Sequence, residues 1–347
     1  MNYPQAEPIQ QLIAAARRVV VLQADNPDAD SLGSALALEH ILGDMGKEPL
    51  LYCGVDVPGY LQYLEGWDRV SKDVPHQFDA SIIVDASTPT LFEKLAQSGQ
   101  QGWVAAKPCV VLDHHETVNT SITFASITLN DPARSSTGEL LHRLAKQLGW
   151  PLSVEAMRNL MTAILGDTQG LTNQLTSAAT YRAMADMVEG GVNRPALEEL
   201  RREASKMPDT IFKYKAKLIE RTELLADGRL AVVSVPQSEI NEYSPLYNPA
   251  SLVQGDMLQV KGVQASVVLK RYDDGKITAA IRCNHGAPIA GQLAEHFGGG
   301  GHTYASGFKI TNGKPFNEVK SECTAYATQL LDNLKQEPTN ETLQHAA

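Results

Sequence analysis

The sequence predicts an α/β protein: a domain built on a mostly parallel sheet, then a helical connector, then a smaller α/β domain. Three observations predict this. Short β-branched runs alternate with helical patterns through the first half of the chain. A charged stretch of helix formers follows, and beyond it lies a hairpin pattern with its own turn signal. A length of 347 residues accommodates two domains with ample core.

Val19-Val20-Val21-Leu22 reads as a buried strand and Ser31 to Leu42 as an apolar-rich helix. Leu50-Leu51-Tyr52, Ser81-Ile82-Ile83-Val84 and Cys109-Val110-Val111-Leu112 are further strands, with Leu91 to Ala96 helical between the last two. These runs are continuously apolar, as in strands covered on both faces. From Ser135 to about Glu189 the pattern is predominantly helical. The charged segment RPALEELRREASKMPDTIFKYKAKLIER then reads as a connector broken near Pro208. Beyond it, Leu230 to Val235 is a strand, and Ala265 to Arg271 pairs with Ile277 to Arg282 around Asp273-Asp274-Gly275. Ile289 to Phe297 is an amphipathic helix, four glycines follow, and a last strand lies near Gly307 to Ile310. The polar tail is expected to be loose. The expected boundaries are 1–193, 194–224 for the connector, 225–335 and 336–347.

Lys plus Arg number 30 and Asp plus Glu 40, a net charge of −10, which argues against a basic face for long duplex DNA. It leaves room for a small phosphorylated ligand held through metal ions. No run has the length of a membrane span, and the start, MNYPQAEPIQQ, lacks a basic and apolar leader pattern; a cytoplasmic protein with no membrane partner is expected. Cys53, Cys109, Cys283 and Cys323 are too dispersed for a thiolate metal site or a disulfide framework.

Acidic and imidazole groups fall at the ends of predicted elements. The first strand runs into Asn26-Pro27-Asp28-Ala29-Asp30, the next central strand into Asp85, and the one after into Asp113-His114-His115. A later helix ends in Gly166-Asp167-Thr168. Ligands of open parallel sheets collect at the carboxyl ends of strands, so these groups are expected to converge. Asp28 and Asp30, two apart in an extended segment, are expected to face the same side. Carboxylates with imidazole suit manganese or magnesium better than structural zinc. Asp28, Asp30, Asp85 and Asp167 bring about −4 of charge, which two divalent ions would balance and which would otherwise repel. Each acid alone has a plainer reading: Asp85 or Asp167 as a cap or turn residue, Asp30 as the cap of the helix beginning near Ser31. The run Gly298-Gly299-Gly300-Gly301-His302 is either a flexible loop or an anion cradle with His302 as donor.

Together, NPDADSLGS (26–34), VDAS (84–87), DHHE (113–116), SSTGELL (135–141) and GDT (166–168) resemble the DHH phosphoesterase superfamily. GGGGHTYASG (298–307) resembles the glycine-histidine motif of the DHH-associated domain. The resemblance spans about residues 18 to 330. It is closer to nano-RNases and to oligonucleotide or cyclic-dinucleotide phosphodiesterases than to family II pyrophosphatases, whose second domain lacks the glycine motif. It implies metal-dependent hydrolysis of phosphoester bonds in short oligonucleotides, dinucleotides or bisphosphonucleotides, with metal-activated water as nucleophile. It further implies two manganese or magnesium ions. Asp28 and Asp85 would serve one metal; Asp30, Asp85, His114 and Asp167 would serve the other, with Asp85 the bridge. Asp113 would orient the histidine pair and His115 would contact the scissile phosphate. Arg282, Gly299, Gly300, Gly301 and His302 would hold the remaining phosphate, and a homodimer is compatible with this reading.

The family places a histidine four residues before the first Asp of NPDAD, and here that position is Ala24. The first metal site is therefore expected to be weaker, its shell filled by water, Asp25 or Gln23. GDT is followed by Gln169-Gly170 rather than a glycine-aromatic pattern, which leaves base stacking open. The alternatives are a catalytically weakened nucleotide-binding member, prompted by Ala24, and a pyrophosphatase or polyphosphatase.

Overall fold

The five central strands of the first half are β1 (Arg18–Gln23), β2 (Glu48–Cys53), β3 (Ala80–Val84), β4 (Cys109–Asp113) and β5 (Ile127–Asn130). They form one sheet in the order β2-β1-β3-β4-β5 with every pair parallel. The computed structural model describes residues 2–115, 121–244 and 247–334; Glu116 of the DHHE segment and the tail at 336–347 lie outside them. Every residue of β3 and β4 is buried, as their unbroken apolar runs require. Alternation divides β1 between two cores. Val19 and Val21 pack in the cluster of α1 (Ala6–Ala15) and α2 (Ala29–Asp44). Val20 and Leu22 pack with Leu95 of α3 (Glu93–Gln97) and Val104 of α4 (Gln101–Ala105). Each such buried aliphatic side chain contributes about 1.5–3 kcal/mol, so packing rather than helix propensity fixes these short helices.

The helical stretch comprises α5 (Thr137–Leu148), α6 (Val154–Asp167), α7 (Ala178–Glu189) and α8 (Arg194–Ala204). The end of α6 meets the start of α2 closely: a Cβ on Gly166 would stand 2.6 Å from that of Ala29. That approach carries Asp167 toward Asp30. The segment predicted as one helix from Leu91 to Ala96 is instead a 3-10 turn, Pro89–Phe92, followed by α3. α1 and β5 were not expected. β5 has one fully buried residue, Leu129, and so lacks the apolar run that reveals the other strands.

The chain divides into two units that meet between Lys206 and Met207. The second begins with α9 (Asp209–Glu220), so α8 belongs to the first unit and α9 to the second. Its strands are β6 (Glu223–Leu225), β7 (Leu230–Pro236), β8 (Ala265–Arg271), β9 (Ile277–Cys283), β10 (Gly300–His302) and β11 (Ala305–Ile310). The sheet order is β10-β11-β9-β8-β7-β6, with only β7 and β8 parallel. One face packs against the helices Ala290–His296 and Phe316–Leu334, the other against α9 and the helix Pro249–Gln259. Among the described residues no helix is long and apolar enough to cross a membrane.

Candidate metal centre

The strand order reverses beside β1, with β2 on one side and β3 on the other. Such a switch point leaves a crevice at the carboxyl ends of the two strands, where ligands of this sheet type bind. β1 leads there to Asp28 and Asp30, β3 to Asp85, and the neighbouring β4 to Asp113, His114 and His115.

Asp28 and Asp30 do not share an extended segment. Asp28 is the N-cap of α2: its carboxylate accepts the Ser31 amide at 2.9 Å, and the Ser31 hydroxyl accepts the Asp28 amide at 2.9 Å. Asp30, whose plainer alternative reading is that helix's cap, lies inside its first turn and caps another helix instead. Its carboxylate accepts the Thr137 amide at 2.7 Å and the Gly138 amide at 2.9 Å, both in the first turn of α5. The positive end of α5 thus faces a fully buried carboxylate.

Asp85 has φ 60°, a left-handed backbone that Asp tolerates better than most residues. Its carboxylate accepts the Thr137 hydroxyl at 3.1 Å. Asp113 is buried and holds the histidines in place, accepting the His114 amide at 2.8 Å, His115 Nδ1 at 2.8 Å and the Ser87 hydroxyl. His114 Nδ1 lies 3.3 Å from the Arg134 carbonyl, and a proton there leaves the Nε2 lone pair free. That Nε2 stands 2.9 Å from Asp167 Oδ2, 3.6 Å from Asp30 Oδ2 and 3.7 Å from Asp85 Oδ1. Among the described residues Nε2 makes no aligned hydrogen bond, so a buried nitrogen stands among three carboxylates with Asp167 at ion-pair distance. His115 Nδ1 is 3.7 Å from Asp85 Oδ1.

The electrostatics follow from this crowding. Burial, then the Asp167 charge, raises the Asp30 carboxyl to about 7. Burial and the charges of Asp30, Asp28 and Asp167 hold Asp85 well above the carboxylate range. Burial pulls the His114 imidazole down, but Asp167 and Asp30 outweigh it and raise it to about 9. A cluster that retains protons in this way is one whose charge a divalent cation would balance.

Two sets of ligand atoms lie within 4.8 Å of one another: Asp30, His114 and Asp167, and Asp85, His114 and His115. Asp28 is in neither, although its charge is close enough to raise both Asp30 and Asp85. Ala24 is buried in the apolar core, and Asp25 is turned to the Lys94 amide at 2.8 Å. Gln23 is fully buried, with neither amide atom hydrogen-bonded. The donor set of carboxylates and imidazole, with one buried ring nitrogen at its centre, fits a hard divalent ion. Thr137, Ser87 and the Arg134 carbonyl had no assigned part; the Ser136-to-Glu139 spacing announces a helix start but not the acids it serves.

In the second unit the β-ladder aligns Arg282, Ala305 and His302 in one cross-strand row, with Arg282 exposed. The glycine run is not wholly a loop, because Gly300 and Gly301 belong to β10. Gly301 has φ 138°, and a Cβ there would lie 2.6 Å from Ser306 Cα, so this glycine is required by its own hairpin. A Cβ on Gly299 would overlap the Gly307 carbonyl, whereas Gly300 has open space. The side chain of His302 lies outside what the structure describes.

The comparisons with known proteins agree with this architecture. The DHH family, N-terminal domain, matches residues 18–165, and the DHHA1 domain matches 247–331. The bifunctional oligoribonuclease and PAP phosphatase NrnA of Thermus thermophilus is 26% identical over 284 residues, 81% of each chain. An exopolyphosphatase-related protein from Bacteroides fragilis superposes with a TM-score of 0.81 at 21% identity, covering 96% of this chain and 98% of that one. RecJ of Thermus thermophilus in complex with Mn2+ superposes with a TM-score of 0.55 at 16% identity, over 93% of this chain and 54% of that one. With both domain types in sequence, and the acids and histidines of the first gathered at its switch point, the chain carries a DHH family N-terminal domain followed by a DHHA1 domain.

Proposed function

We propose that this protein is a metal-dependent phosphodiesterase acting on short oligonucleotides, dinucleotides or bisphosphonucleotides. The observation that carries the reading is the buried His114 Nε2 standing among the carboxylates of Asp30, Asp85 and Asp167. Asp30, His114 and Asp167 would hold one manganese or magnesium ion; Asp85, with Asp28, would serve a second and bridge the two. When bound, such ions supply the activation of water and the neutralisation of phosphoryl charge that phosphoester hydrolysis needs. Thr137 steadies Asp85, the start of α5 steadies Asp30, and Asp113 aims the His115 ring. His115, with its side chain 54% exposed, would meet a phosphate oxygen. Arg282, Gly300 and His302 would anchor a second phosphate. The relative named an oligoribonuclease and PAP phosphatase supports the substrate class. Free, buried cysteines at all four positions support a reducing, cytoplasmic setting.

Ala24 and the capping duty of Asp28 favour a second reading, a member that binds nucleotide and turns it over poorly. Manganese-dependent release of mononucleotide from a labelled dinucleotide separates the two. Turnover that exceeds the rate on pyrophosphate supports the phosphodiesterase; binding without release overturns it.

A further inference from the structure

A cleft of about 730 Å³ opens within the first unit, with Asp28 and Asp167 among its walls. It is far larger than one phosphate needs and falls in the range of sites for nucleotide-sized ligands. Tyr60, Tyr63, Leu165 and Leu197 give it an apolar side. Tyr60 sits on the short turn Gly59–Leu61 and leaves 55% of its surface exposed. Along the α8 side, Arg194, Arg201 and Arg202 all share one carboxylate, Glu198, at 3.1, 2.6 and 3.1 Å. Three guanidinium groups on one acid concentrate positive charge on the α8 side of the cleft, opposite in sign to the wall that carries Asp28 and Asp167. Arg201 holds Glu198 through two nitrogens, whereas Arg202 makes a single contact and its side chain is 76% exposed, so Arg202 is the guanidinium most free to turn to a phosphate.

We propose that this cleft is a nucleotide subsite of the first unit, in which a nucleobase packs on Tyr60 while Arg201 and Arg202 engage a phosphate of the same nucleotide. Aromatic rings take any base by stacking, and arginine forks match phosphate oxygens. The inference rests on the phosphodiesterase reading and narrows its substrate: pyrophosphate or polyphosphate has no apolar part to cover Tyr60 and Leu197. It also supplies the aromatic surface missing after the GDT segment, where Gln169 and Gly170 stand.

The test is photo-cross-linking of the full chain with 8-azido-AMP, mapped by mass spectrometry. Label is expected on the peptides holding Tyr60 and residues 194–202. Tyr60→Ala should reduce that label about tenfold, and Arg202→Ala should raise the half-labelling concentration about tenfold. Both side chains are exposed, so circular dichroism matching the wild type is expected. Excess dinucleotide should displace the label better than excess pyrophosphate. Label confined to other peptides, or labelling unchanged in both variants, overturns the subsite. Failure of the wild type to cleave dinucleotide with either ion would sink the phosphodiesterase reading instead, and the label map would still decide the subsite.

Discussion

The Asp30 carboxylate accepts the Thr137 amide at 2.7 Å, joining the first turn of α2 to the first turn of α5 across 107 residues of sequence. One acid therefore serves both the fold and the proposed metal. Its removal has two opposing effects. Two buried amides lose their acceptor, which costs about 1–3 kcal/mol for each left unsatisfied, while the repulsion with Asp167 is relieved. The amides win, because Asp30 already sheds part of its charge by retaining a proton near neutrality. Asp30→Ala should therefore lower unfolding stability by about 1–3 kcal/mol. Asp30→Asn, which keeps one acceptor oxygen, should lower it less. Both should lose more than about a hundredfold in turnover. Urea unfolding of metal-free protein checks the first point, and equal stability of all three proteins contradicts it.

Asp85 and Asp28 allow a cleaner separation of chemistry from fold. Asn tolerates the left-handed backbone of position 85 nearly as well as Asp, and it caps helices as well as Asp at position 28. Both Asn variants should melt within a few degrees of the wild type. Asp85→Asn should nevertheless lose more than about a hundredfold in turnover, because the proposed bridge serves both ions. Asp28→Asn should retain at least about ten times the activity of Asp85→Asn. Equal residual rates would remove Asp85 from the bridging position.

The metal-free chain should lose stability as pH rises through neutrality. Asp30 moves from its ordinary 3.8 to about 7 in the fold, so its contribution is lost as pH climbs through that interval. His114 moves from 6.5 to about 9, so its contribution is complete below 6.5 and lost on the way to 9. Asp85 and His115 are raised as well and act in the same direction. Buried His142 is lowered and gains the fold stability as pH rises toward 6.5, and the lowered carboxyl of Asp113 acts only below the ordinary carboxylate range. Thermal melts in EDTA should thus fall between pH 6.5 and 9. Added manganese should raise the melting temperature more at the higher pH, where protons no longer compete for the same oxygens and nitrogen. A manganese effect independent of pH would contradict this account of the cluster.

The parallel strands were legible because burial on both faces leaves unbroken apolar runs, as in β3 and β4. The edge strand β5 has Thr128 exposed and Leu129 buried, and over four residues that pattern says little. α1 buries only Ala6, Ile9 and Ile13, too narrow a stripe to stand out beside its proline and two glutamines. The acids and histidines were legible as strand-end groups, since a parallel sheet sends them to one edge. Which acid caps which helix was not. Asp28 and Asp30 are two residues apart, yet one caps its own helix and the other caps α5, a pairing fixed by tertiary contact alone. Likewise the glycines at 299 and 301 looked like a ligand cradle, while the close approach of β11 already requires both.

The stoichiometry of the metal follows from three neighbouring residues of β1 and its loop. Ala24 has no ligand atom and is packed in the core, Asp25 is committed to the Lys94 amide, and Asp28 is committed to Ser31. Gln23, which is fully buried, and the second carboxylate oxygen of Asp25 are the polar atoms there without a hydrogen bond among the described residues. The group Asp30, His114 and Asp167 has no comparable deficit, because α5 and the Arg134 carbonyl have already oriented its donors. Dialysed protein should therefore retain close to one manganese ion per chain, and titration should show a second binding at least about tenfold weaker. Gln23→Met, which keeps the volume and removes the amide, should leave the tight ion in place and weaken the second only if Gln23 completes its shell. Two ions surviving dialysis would mean that Asp28 and Asp85 build a full site without an imidazole at position 24.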